Sequence, residues 1–159
     1  VLLNLMPTAI SSDKIDLSSE KKTEEFASEF IKKLKPGNTV FLYGEIGVGK
    51  TTFVRYLVNI FQKANKLKIT EVTSPTFNLL NEYQINKIKI NHYDLFRIKK
   101  VNEIKDLDIF DENKNTITLI EWPQIIEEKP KNLIELIFEY GKDHQTRSVK
   151  IKGLNPILK

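Results

Sequence analysis

Between Gly44 and Thr52 the chain reads Gly-Glu-Ile-Gly-Val-Gly-Lys-Thr-Thr, which satisfies the phosphate-loop pattern G-x-x-x-x-G-K-[ST] in full. Each residue type answers a demand of a polyphosphate. Gly44, Gly47 and Gly49 let backbone N–H groups approach the anion with no side chain in the way, and they tolerate positive φ. A helix beginning near Lys50 presents unpaired N–H groups and the positive end of its dipole. Lys50 is a mobile point charge able to reach β- and γ-phosphates, and the Thr51 hydroxyl is a hard oxygen ligand suited to Mg²⁺. The expected phosphate-binding set is Gly44, Glu45, Gly47, Val48, Gly49, Lys50, Thr51 and Thr52.

Two acids lie downstream. Thr116-Ile117-Thr118-Leu119-Ile120-Glu121 is an apolar run ending in a carboxylate, the form of a Walker B element that holds the Mg²⁺ shell. Most such elements end in Asp, and an ordinary central strand with a rim carboxylate is the plainer alternative. Asp94 follows another strand-like run and suits either a metal or water role or the capping of the next helix. His92 reads as packed or hydrogen-bonded, and Arg97 as a phosphate contact or the partner of a local carboxylate. Trp122 either stacks on a base or a partner, or caps the core. Thr73-Ser74-Pro75-Thr76-Phe77 is an ordered turn, or a switch loop whose hydroxyls, including that of Thr76, sense the γ-phosphate. Arg147 is solvated by default and reaches the nucleotide only if its hairpin folds over the site.

The elements that must position these groups are legible in the periodicities. Ser18 and Ser19 are N-caps for a helix whose buried face is Phe26, Ala27, Phe30, Ile31 and Leu34, and Pro36-Gly37 stops it. Thr39–Tyr43 is the strand into the loop, and Phe53, Val54, Leu57 and Phe61 mark the following helix to about Lys66. Asn78–Tyr83 and Lys87–Tyr93 form a hairpin around Gln84, Ile85 and Asn86. Val101–Phe110 reads as a short helix, and Leu133–Tyr140 with Thr146–Lys152 as a second hairpin.

The chain has 159 residues, enough for one domain with a real core and too few for two. It has no cysteine, which removes disulfides, zinc–thiolate sites and thiol catalysis and fits a reducing compartment. The formal charge of +4 is thinly spread lysine, which reads as solubility and does not by itself argue for an affinity for RNA. No apolar run reaches the length of a membrane span. Val1–Ile10 is apolar but short and lacks a basic start, so no signal peptide is expected. The initiator is expected upstream of Val1 or at Met6.

Taken together these residues resemble one family, the bacterial ATPase TsaE, also called YjeE, of tRNA threonylcarbamoyladenosine biosynthesis. The resemblance rests on Gly44–Phe53, Ser74-Pro75-Thr76-Phe77, His92-Tyr93-Asp94-Leu95-Phe96-Arg97 and Glu121-Trp122-Pro123, in the family's order and spacing, with Thr23 as a further match. It runs from about Ser18 to Val149. It implies a compact phosphate-loop NTPase-like α/β domain with a mixed parallel/antiparallel sheet flanked by helices. The expected division is an N-terminal segment (1–17), the ATPase domain (18–152) and a tail (153–159). It further implies that Lys50 and Thr51 hold phosphate and Mg²⁺, that Glu121 completes the metal shell, and that Asp94 positions or activates water beside the γ-phosphate. Lys50, Asp94 and Glu121 are then the catalytic set, with Thr76, Trp122 and Arg147 added to the nucleotide-binding residues. The implied partners are ATP, TsaB and TsaD, with tRNA met through the complex in the cytoplasm. In the family, ATP hydrolysis supports turnover of a TsaB–TsaD transferase acting on adenosine 37 and is not the transfer chemistry. Departures are small: Gly-Glu-Ile stands where Gly-Asp-Leu is usual, and Phe96 where Tyr is common.

Two other functions compete. A small metabolite kinase would need a second substrate site and an Arg-rich lid, and no Arg cluster is present. A nucleotide-gated binding module without hydrolysis is opposed by the retained Lys50, Thr51 and both acids. A GTPase is disfavoured because no Asn-Lys-x-Asp motif appears.

Overall fold

The structure is a computed structural model that describes residues 14–110 and 114–153. Residues 1–13, which include the apolar Val1–Ile10, and 154–159 of the tail lie outside the described residues. One seven-stranded sheet runs through the molecule in the order β1-β7-β6-β2-β5-β4-β3. Its strands are β1 (Lys14–Asp16), β2 (Thr39–Tyr43), β3 (Leu80–Ile85), β4 (Ile88–Asp94), β5 (Thr116–Glu121), β6 (Leu133–Tyr140) and β7 (Arg147–Lys152). The helices are α1 (Glu20–Phe30), α2 (Lys50–Ala64) and α3 (Val101–Lys105).

The central strands β6, β2, β5 and β4 are parallel to one another, and the hairpins β3–β4 and β6–β7, with β1 on β7, are antiparallel. Parallel pairing buries both sheet faces, and β5 is buried at every position. The sheet is therefore mixed and helix-flanked, as the family resemblance implies.

Side chains alternate between the two faces. On one face Val40, Leu42, Ile117 and Leu119 pack under α1 and α2; on the other Phe41 and Ile120 pack with Tyr93, Leu95 and Ile98. Phe26 and Phe30 of α1, Phe53 of α2 and Phe138 of β6 form a ring cluster with centroid separations of 5.3–5.8 Å. Phe26, Phe30 and Phe53 are fully buried, and each contributes roughly 1.5–3 kcal/mol to the packing of the two helices on the sheet. Ser19 caps α1, its hydroxyl accepting from the Lys22 N–H at 3.2 Å.

Three local details differ from the sequence expectation. β1 is a three-residue strand where no element was expected; nothing in its own residues announces it, because it exists through pairing with β7. The helix expected over Val101–Phe110 stops at Lys105. It buries no residue, so no packing offsets the entropy of a longer helix, and Asp108 turns the chain at φ 48° to bury Ile109. β3 begins at Leu80, after Leu79 at φ 67°, and the hairpin turn narrows onto Asn86 at φ 54°.

Candidate functional site

The phosphate loop joins the end of β2 to α2 and sits at the carboxyl edge of the sheet. Gly44 has φ 147°, and a Cβ there would lie 2.8 Å from Val48 Cγ1 and 2.9 Å from the Phe138 carbonyl oxygen. Glycine is therefore required both by conformation and by the close approach of β6. Gly49, at φ 115°, is the N-cap of α2 and brings no capping side chain, so the first-turn N–H groups of the helix face the cleft. The Val48 side chain is core; its N–H donates to the Glu45 carbonyl at 3.2 Å, and the Glu45 side chain is exposed.

Lys50 is 4% exposed. Its ammonium donates to the Gly44 carbonyl and, at 3.3 Å, to that of Glu45, and it lies 4.1 Å above the Trp122 ring. Burial pushes its pKa below the ordinary lysine value, with the charges of Glu121 and Asp94 acting in the opposite direction. A partly desolvated cation held in place has a strong reason to accept an anion.

Both acids arrive by strand alternation. Glu121 shares the sheet face of Ile117 and Leu119, and Asp94 that of Ile90 and His92, the face covered by α2. β4 and β5 pair with Asp94 opposite Glu121, so the two carboxylates meet at the same end of adjacent strands. The Thr51 hydroxyl lies 3.1 and 3.3 Å from the two Glu121 oxygens. Glu121 Oε2 is also 2.7 Å from His92 Nε2. Asp94 Oδ2 accepts from the Ser74 hydroxyl at 2.5 Å and Oδ1 from the Phe96 N–H at 2.9 Å.

These groups line one cleft of about 210 Å³, bounded by Gly47, Gly49 and Lys50–Thr52 below and by Ser74, Asp94, Phe96, Glu121 and Trp122 above. Trp122 follows Glu121 directly with φ 57° and ψ 55°, a conformation uncommon for a bulky residue, and this turns its ring over Lys50. Arg147 reaches the same neighbourhood: a Cβ on Gly49 would be 4.0 Å from its Nη1, and its guanidinium lies over the Tyr140 ring. Arg97 stacks on Phe77, 5.0 Å away, and among the described residues it pairs with no carboxylate.

Lys50, Thr51, Thr52, Asp94, Glu121 and Trp122 therefore converge, and Arg147 stands beside them. Of the Ser74–Phe77 loop, Ser74 enters the cleft; Thr76 is half-buried and is not among the residues that line it. Sequence reading singled out Thr76 and left Ser74 without a role of its own. The missed signal is the Ser-Pro step, which places the hydroxyl one residue before a rigid turn.

The order of the sheet, the loop between β2 and α2 and the acids at the strand ends define a phosphate-loop NTPase-like α/β protein. The solved structure described as "Crystal structure of Bacillus subtilus YdiB" shares this fold, with a TM-score of 0.66 at 22% identity over 89% of this chain and 85% of that one. The family model "Threonylcarbamoyl adenosine biosynthesis protein TsaE" matches residues 17–149, and the chain belongs to the TsaE family. Relatives named tRNA threonylcarbamoyladenosine biosynthesis protein TsaE include one from Rickettsia bellii, 43% identical over 76% of this chain and 81% of its own length. One from Nostoc sp. is 33% identical over 89% and 86%, and one from Aquifex aeolicus 35% over 76% and 83%. Among the described residues no helix is long and apolar enough to cross a membrane.

Proposed function

We propose that the protein binds and hydrolyses Mg·ATP as the ATPase subunit of tRNA N6-threonylcarbamoyladenosine (t6A37) modification. In this reading it supports turnover of the TsaB–TsaD transferase complex in the cytoplasm. The observation that carries it is the convergence of Lys50, Thr51, Asp94 and Glu121 at the start of α2 in a TsaE-family chain.

Lys50 neutralises the β- and γ-phosphates, exchanging the Gly44 and Glu45 carbonyls for phosphate oxygens. The loop N–H groups and the first turn of α2 orient the polyphosphate. The donor set fits Mg²⁺: one hydroxyl, Thr51, and one carboxylate, Glu121, lie in contact beside an open cleft. Among the described residues there is no group of three or more His, Cys, Asp or Glu side chains forming a closed cage. That suits a cation that completes its octahedron with waters and substrate phosphates. When bound, the ion would neutralise charge developing on the phosphate oxygens. Asp94, held by Ser74 and Phe96, orients the attacking water and accepts its proton. Arg147, beside Gly49, supplies a second positive charge toward the phosphates, and Trp122, whose ring lies 4.1 Å from the Lys50 ammonium, closes one wall against solvent. Thr76 senses the γ-phosphate through movement of the Ser74–Phe77 loop.

The test has two arms. Lys50→Ala is expected to remove most ATP binding, because the point charge beside the phosphates is lost; binding like wild type would refute the site. Co-purification from cells is expected to recover TsaB and TsaD, with recovery dependent on ATP, and partners unrelated to tRNA modification would refute the assignment.

A further inference from the structure

His92 lies under the cleft on β4, with its side chain fully buried at 0% exposure. Its register partner is Leu119, and its layer is otherwise apolar, with Ile90 and Leu119 in the same core. A polar ring in such a layer is costly unless it is hydrogen-bonded. Among the described residues the ring makes one such bond, Nε2 to Glu121 Oε2 at 2.7 Å, and Nδ1 has no partner. A carboxylate only accepts, so Nε2 donates in this bond. Glu121 Oε2 is thereby held from two sides, by His92 below and by the Thr51 hydroxyl at 3.1 Å above. Among the described residues Oε1 has Thr51 alone, at 3.3 Å.

We propose that His92 is a positioning residue of the cation site: its Nε2–H pins one Glu121 oxygen and fixes the carboxylate plane toward Thr51 and the cleft. A glutamate has three side-chain torsions, and an unpinned one spreads over several of them. A buried bond from one side removes that freedom. This rests on the reading that Thr51 and Glu121 hold Mg²⁺. His92 itself touches neither nucleotide nor metal.

The experiment measures equilibrium ATP binding to the isolated full chain by calorimetry, across a Mg²⁺ series and without Mg²⁺. His92→Phe keeps the ring volume and deletes the donor. It is expected to raise the Mg²⁺ concentration for half-maximal binding by roughly 10–100-fold, the usual effect of losing an outer partner of a ligand. The weak binding without Mg²⁺ should not change. His92→Gln, whose amide N–H reaches toward the same oxygen, should recover most of the shift. On a Glu121→Ala background, His92→Phe should add nothing.

A wild-type Mg²⁺ requirement in His92→Phe, an equal shift on the Glu121→Ala background, or no recovery with Gln would each overturn the proposal and leave His92 as packing. If Glu121→Ala itself leaves the Mg²⁺ requirement unchanged, the metal reading of Glu121 fails, a result distinct from failure of His92 alone. Nitrogen NMR of the wild-type ring checks the same point without any variant. A proton on Nε2 is expected, and a bare Nε2 would overturn the bond as drawn.

Discussion

Replacing Asp94 with asparagine removes one charge and keeps the shape of the side chain. In the wild type Oδ1 accepts from Phe96 N–H at 2.9 Å and Oδ2 from the Ser74 hydroxyl at 2.5 Å. In Asp94→Asn the amide oxygen keeps the Phe96 bond, and the amide nitrogen donates to a Ser74 hydroxyl rotated to accept. Both bonds survive as neutral ones, each weaker by about 1 kcal/mol. Relief of repulsion with Glu121, its partner in the β4–β5 register, offsets part of this. The fold therefore stays within about 2 kcal/mol of wild type, small against a domain stability of about 5–15 kcal/mol. Turnover is another matter. A positioned carboxylate that accepts a proton from water contributes about 10²–10⁴-fold, or roughly 2.7–5.4 kcal/mol of barrier. A negative group beside the phosphates repels them in the ground state, so its removal should leave ATP affinity unchanged or raise it. The assay is single-turnover hydrolysis in the reconstituted complex with tRNA, beside equilibrium ATP binding to the variant. Ser74→Ala is the control: it retains the charge and loses one hydrogen bond, and should slow turnover by less than about 10-fold. Loss of ATP binding with an unchanged rate for bound ATP would make Asp94 a ligand or a structural residue. A Ser74→Ala defect as large as that of Asp94→Asn would show that the loop contact, not the charge, matters.

Thr51→Ala and Glu121→Ala should each raise the Mg²⁺ needed for activity, and the double variant should cost less than the sum because both act on one ion; fully additive losses in a Mg²⁺ titration would place Glu121 elsewhere. Gly44→Ala should destabilise the fold by about 2–6 kcal/mol, combining a strained positive φ with overpacking against the β6 backbone. Urea unfolding reads this directly, and a midpoint equal to wild type would mean that the loop has more room than the 2.9 Å approach to Phe138 allows.

What could be read before folding was whatever local chemistry dictates. The phosphate loop, the Ser19 cap, the β6–β7 hairpin and the acid ending β5 are written in consecutive residues, and the structure places them where periodicity puts them. Pairing between distant strands was not legible. β1 exists only as an edge on β7. His92 meets Glu121 only because β4 lies parallel to β5 in one register. A slip of one residue would send either side chain to the opposite face. Ser74 and Thr76 are similar hydroxyls two residues apart, and only the path of the turn sends the first toward Asp94. Helix α3 was overextended because its apolar spacing is helical while its burial is not.

The central place of β2 has a consequence for synthesis. Its two neighbours are β5, beginning at Thr116, and β6, beginning at Leu133. A ribosome making about 5–20 residues per second needs about 4–14 s to cover the roughly 70 residues between β2 and β5. For that interval the nascent chain carries its phosphate loop on a strand with both edges unpaired, and Glu121 has not yet been made. ATP at cellular concentration therefore cannot template the early half of the molecule. On the proposed function it would act as a late ligand, one that rewards only a finished sheet.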